Sequence, residues 1–174
     1  TILNDGNWHH FYIEFPTTTS FTEINWLTRA YGAYETQGAI DDLRYFNEGL
    51  NDFQIKHLSN GGNADLDFFN NLFYYENFED NSYTGSHTTA DISDVSGHTG
   101  LTTKAIHIER NNTKLWRQTG ISNVKNISFW VYFNGRSSTT GTALLTLHDP
   151  NNSSNWVALW MYAVAPNNLF MISS

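Results

Sequence analysis

Residues 9–15, HHFYIEF, alternate without a break: His9, Phe11, Ile13 and Phe15 take one side, and His10, Tyr12 and Glu14 the other. A period of two over that length predicts a strand with one buried face. Asn4-Asp5-Gly6 ahead of it reads as a turn. Residues 17–37 lose the alternation. They are Thr-rich and read as irregular chain, with Trp26, Tyr31 and Tyr34 as packing points. Residues 39–46, AIDDLRYF, form a second strand. In NISFWVYF (126–133), Ile127, Phe129, Val131 and Phe133 share one face and Trp130 and Tyr132 the other. Further strand patterns fall at 73–78, 104–109, 143–148, 156–163 and 169–172, with a polar run from 79 to Gly100. Asn134-Gly135, Asp149-Pro150-Asn151-Asn152 and Pro166-Asn167-Asn168 are turn signals.

One segment has a different rhythm. Asn51 is placed to cap a helix, Gln54 to reach back to it, and Leu50 and Ile55 to form a hydrophobic staple. Phe53, Ile55 and Leu58 give a short apolar side, and Gly61-Gly62 ends it. This predicts one short helix near residues 51–58. Residues 59–72, SNGGNADLDFFNNL, read as a linker or module junction. Short strands, polar turns and one small helix predict an all-β fold, an antiparallel β-sandwich.

Composition agrees. The chain has 174 residues, with 16% aromatic and only 15% charged, which suits half-buried pleated surfaces and one domain-sized core. There is no cysteine, so disulfides and thiolate chemistry are excluded. No apolar run approaches the roughly 20 residues of a membrane-spanning helix, and the net charge of −8 argues against nucleic acid. Residues 1–98 hold 15 of the 17 acids and three bases; residues 99–174 hold two acids and six bases. The two portions either neutralise each other within one sandwich or meet between neighbouring subunits. The chain starts at Thr with no signal-peptide pattern, so a processed product or an excerpt is expected.

Two stretches resemble a known family. NDGNWHHFYIEF (4–15) and GAIDDLRYFNEGLNDFQIKHL (38–58) are similar to the late "WHH" strand and to the closing "IDD-x-R" strand and helix of laminin-G-like, concanavalin-A-like jelly-roll domains. FYYENFED (73–80), Asp94–Gly97 with Gly100, Lys104–Arg110 and Asn126–Phe133 resemble the family's earlier part. The resemblance covers nearly the whole chain, but its order is permuted: 1–58 match the C-terminal portion of a jelly roll and 73–174 the N-terminal portion. A circular permutant, one period of a tandem array, and strand exchange between subunits all fit this order.

The resemblance also implies chemistry. In that family a structural calcium is often held where the first strand's end meets the closing strand, which here points to Asp42, Glu79 and Asp80. The competing reading pairs one of these acids with Arg44. No catalytic residue emerges: Glu14, Glu23 and Glu35 are isolated, and Glu76 and Glu79 are three apart, so no carboxylate pair of glycosidase type is evident. His9-His10 point to opposite faces of a strand and read as structural rather than metal-binding. Trp130, Trp156 and Trp160 fall in strands, and Trp8, Trp26 and Trp116 in or near turns; outward aromatics are available for glycans or for another subunit, with no glycan-binding residue nameable. Sequons occur at Asn111, Asn126, Asn151 and Asn152, and Asn126 begins a core strand. The expectation is a non-enzymatic structural subunit of an extracellular or particle-surface assembly (filament, decoration or tail type) that contacts copies of itself. The alternative is a calcium-stabilised carbohydrate-binding module.

Overall fold

Alternating apolar residues need a second layer to bury them, and here two long strands supply both layers. The computed structural model describes residues 5–27, 36–62, 69–79, 86–87, 91–93, 104–108, 116–136, 142–149, 151, 156–161 and 169–173. In chain order these form β1 (Trp8–Trp26), β2 (Thr36–Phe46), α1 (Asp52–Ser59), β3 (Leu72–Glu76), β4 (Ser86–His87), β5 (Asp91–Ser93), β6 (Ala105–Ile108), β7 (Trp116–Arg136), β8 (Thr142–His148), β9 (Trp156–Met161) and β10 (Leu169–Ser173).

β1 and β7 run antiparallel from Trp8↔Tyr132 through Phe11↔Phe129 and Glu14↔Asn126 to Trp26↔Trp116. The ladder shifts between Glu14 and Phe21, where extra β1 residues face few β7 residues. On β7, Gly120 and Asn123 take positive φ (67° and 59°) at this corner. Lys125 Nζ donates there to the carbonyls of Phe15 and Pro16 and lies 3.3 Å from Glu14 Oε1. The ribbon folds back on itself at the corner. Trp26 pairs with Trp116, thirteen positions before Phe129 on β7, so a straight strand would separate them by roughly 40 Å; yet the Trp26 and Phe129 rings meet edge-on with centroids 5.0 Å apart.

Each half of the ribbon thus seeds one layer. In layer one, residues 8–14 of β1 flank β7, β7 flanks β2, and β2's far edge carries β6 beside Gly38–Ile40 and β3 beside Leu43–Phe46, with β5 outside β6. In layer two, the order is β10-β9-β8-β1-β7-β4 through the other halves of β1 and β7. The pairings are antiparallel, and the fold is an all-β antiparallel sandwich. Ile24, Trp26, Trp116, Ile127, Phe129 and Leu145 lie in the buried core between the layers.

The helix forms as the sequence predicts. Asn51 Oδ1 accepts the Gln54 N–H and Gln54 Oε1 accepts the Asn51 N–H, both at 3.0 Å. Leu50 and Ile55 pack with Phe46, Leu58 and Phe69. The Gly61 and Gly62 N–H groups close onto the carbonyls of Leu58 and His57, with Gly61 at φ 77°. This small second core, which also touches Tyr12, lies on the outer face of layer one.

Several expectations need correcting. Residues 17–26 are strand, because Ile24 and Trp26 face the core and Glu23 and Asn25 face away once the corner has been turned. Residues 116–125 are strand too, so Trp116 and Trp26 are fully buried strand residues, not turn residues, and Trp8 opens β1. Asn134-Gly135 does not turn: β7 continues past it, with Gly135 opposite Gln37. The polar run contains β4 and β5. Within the proposed linker, Phe69 is buried against Phe46, while residues 63–68 lie outside the described residues, as do Tyr31, Tyr34 and the turn at Pro166.

Candidate functional site

Asp42, the first acid of the calcium reading, sits where the β2–β7 ladder shifts between Asp41 and Arg44, with φ 51°, so Asp41 and Asp42 do not follow simple strand alternation. Asp42 Oδ2 lies 3.3 Å from Arg44 Nη2, and Asp42 Oδ1 accepts the Tyr75 hydroxyl at 2.6 Å. Arg44 is fully buried, lies 5.0 Å from the Tyr75 ring centroid, and donates to the Gly62 carbonyl at 3.4 Å. Burial first, and then the Asp42 charge, pushes the Tyr75 phenol far above its usual range.

Both Asp42 oxygens therefore face protein donors, the Arg44 guanidinium on one side and the Tyr75 hydroxyl on the other. Glu79 Oε1 accepts the Lys104 N–H at 3.0 Å, and Lys104 Nζ donates to the Glu79 carbonyl at 3.2 Å. Asp80 lies outside the described residues. Among the described residues, no three His, Cys, Asp or Glu side chains converge as a metal group.

The outer face of layer one carries an aromatic band. Period two puts Trp130 and Tyr132 opposite the core face of β7, as the sequence predicts, and both are half-buried. Tyr132 packs on Trp8 with ring centroids 5.7 Å apart, and Trp130 packs on His10 at 5.2 Å. His10 Nε2 is 2.9 Å from Ser128 Oγ, whereas His9 Nε2 is 2.9 Å from Asp5 Oδ1, so the adjacent histidines serve separate partners. The Tyr12 hydroxyl donates to Asn126 Oδ1 at 2.9 Å; burial, followed by the Glu14 charge, pushes its pKa up to about 12.

The outer face of layer two holds a group that alternation along one strand could not reveal. Glu23 and Asn25 leave β1 on the side away from Ile24 and Trp26. Arg117 leaves β7 away from Trp116, and His148 leaves β8 away from Leu147. Glu23 Oε1 accepts from Asn25 Nδ2 at 2.7 Å, and Glu23 Oε2 lies 3.3 Å from Arg117 Nη1. Arg117 Nε donates to Asn25 Oδ1 at 3.0 Å, and Asn25 Nδ2 is 3.3 Å from His148 Nε2. Glu23, isolated in the sequence, is therefore the centre of a polar constellation. The cross-strand register Glu23↔His148 and Asn25↔Arg117 is the signal that would have found it.

Of the sequons, Asn126 is buried and its amide donates to the Glu48 carbonyl, which excludes it as an acceptor in the folded chain. Asn151 is exposed, and Asn111 and Asn152 lie outside the described residues. No family model, curated protein or solved structure matches the chain.

Proposed function

We propose that this chain is a non-enzymatic structural subunit of an extracellular or particle-surface assembly, a sandwich module that contacts copies of itself. The observation supporting this is the aromatic band of Trp8, His10, Trp130 and Tyr132 on the outer face of layer one, beside which α1 and its cluster pack at the Tyr12 end. Large, rigid aromatic rings gain much contact area for little lost side-chain freedom, and they are enriched at interfaces. Sedimentation velocity over a wide concentration range tests the reading. Self-association weakened by the double change Trp8→Ser and Tyr132→Ser supports it; a species that stays monomeric at every concentration contradicts it.

A carbohydrate-binding module is the second reading, favoured by the Glu23–Asn25–Arg117–His148 constellation on layer two. Neither reading involves turnover. Retaining glycoside hydrolysis uses two carboxyl groups about 5 Å apart, whereas the groups gathered around Glu23 are an amide, a guanidinium and an imidazole.

A further inference from the structure

We infer that the outer face of layer two holds a site for a neutral, polyhydroxylated ligand, a pyranose bound through two adjacent hydroxyl groups by Glu23 and Arg117. The inference deepens the carbohydrate-binding reading and rests on it. Its first support is depth. Side chains that leave a sheet away from the core are ordinarily wet, yet Asn25 is 2%, Thr146 0% and His148 5% exposed. Above this sheltered polar floor, Glu23 and Arg117 remain open, with side-chain exposures of 21% and 35%. An ordinary surface ion pair has no buried amide beneath it and no fixed geometry.

The second support is the orientation of the open valences. Asn25 grips both charged groups: its amide nitrogen donates to Glu23 Oε1 and its carbonyl oxygen accepts from Arg117 Nε. The carboxylate and guanidinium are thereby fixed side by side before any ligand arrives, which reduces the ordering cost of binding. Of the five N–H donors of an arginine, Nε engages Asn25 and Nη1 faces Glu23; Nη2 has no hydrogen bond among the described residues. Glu23 Oε2 faces Nη1 and keeps further acceptor capacity. An acceptor beside a donor is what a vicinal diol matches, one hydroxyl donating to Glu23 while its neighbour accepts from Arg117. The paired charges cancel, which favours a neutral ligand over an anion or a cation.

Saturation-transfer NMR with the methyl pyranosides of glucose, galactose and mannose tests this on the intact chain. The expected result is binding of at least one, with a dissociation constant on the order of 1 mM. Binding should weaken by roughly tenfold or more in Glu23→Gln and in Arg117→Lys, each of which removes a charge-assisted hydrogen bond or its fork geometry. Titrating the bound sugar into the unsubstituted protein should also move the His148 imidazole resonances, a readout independent of how the variants fold. Binding that persists in both variants and leaves His148 unmoved overturns the site while keeping the carbohydrate reading. No saturation transfer from any of the three pyranosides overturns both.

Discussion

The Trp26 indole donates its N–H to Gln118 Oε1 at 3.0 Å, although both side chains are buried in the centre of the sandwich. The same oxygen accepts the Tyr45 hydroxyl from the opposite layer, and Gln118 Nε2 donates to the Tyr74 hydroxyl at 3.0 Å. One amide thus satisfies three aromatic residues drawn from β1, β2 and β3. Gln118→Leu keeps the bulk but leaves the Trp26 N–H and Tyr45 O–H without that acceptor. A stability loss of about 3 kcal/mol is expected, since each orphaned buried group costs about 1–3 kcal/mol. Urea denaturation measures it; a loss below about 1 kcal/mol would show that the amide is dispensable.

The alkaline limit of the fold follows from its phenols. Burial, and then the neighbouring Tyr74, raises Tyr45 well above its ordinary value; Tyr75 is raised too, and Tyr12 to about 12. A raised folded pKa means that the folded chain holds the proton more tightly than the unfolded chain. The associated stability is complete below the unfolded phenol value of about 10 and drains away as pH rises through the folded values. The denaturation midpoint should fall above pH 10 in step with tyrosinate absorbance, and Tyr12→Phe should make the fall shallower. An unchanged midpoint up to pH 12 contradicts this assignment.

Gly38 is needed for its missing side chain. A Cβ built there meets the Tyr132 carbonyl oxygen at 2.2 Å and Leu27 Cδ1 at 3.3 Å. The first contact is backbone in the middle of the sandwich and cannot swing aside. Gly38→Ala is expected to cost about 3 kcal/mol or more, a fall in Tm of roughly 10 °C for a domain of this size. Differential scanning calorimetry checks it against Gly6→Ala, where the added Cβ meets open space and only the φ of 76° is strained.

Removing the Asp42 carboxylate should leave the buried Arg44 without its counter-charge. Asp42→Ala is expected to destabilise by about 3 kcal/mol or more, the cost of an uncompensated buried ion. The loss should be the same in calcium and in chelator, because the partner of Asp42 is Arg44. A penalty that appears only in calcium would assign Asp42 to the metal instead.

The sequence made visible what is local. The capping box of Asn51 and Gln54, the staple of Leu50 and Ile55, and the faces of Ile127 to Phe133 each depend on spacings within a few residues. The corner near Pro16 was not legible: the ladder shift changes which positions face inward, so the run from Thr17 to Trp26 shows no single period. Asn25 lies two residues from Glu23, but Arg117 and His148 reach it through ladders to β7 and β8, whose registers lie more than ninety residues away in sequence and leave no trace near Glu23. Only the resemblance groups the acids Asp42, Glu79 and Asp80, while the Tyr75 hydroxyl that meets Asp42 comes from β3, a pairing that no local spacing announces.

The β1–β7 ribbon also dictates when this protein can fold. Trp8 finds its partner at Tyr132 and Trp26 finds its own at Trp116, so β1 leaves the ribosome long before anything exists for it to pair with. At synthesis rates of about 5–20 residues per second, the HHFYIEF strand waits several seconds as an unpaired, aromatic-rich segment. Closing the ribbon means closing loops of about a hundred residues, which is slow by the rule that distant contacts delay folding, and the waiting strand is the stretch a chaperone has most reason to hold.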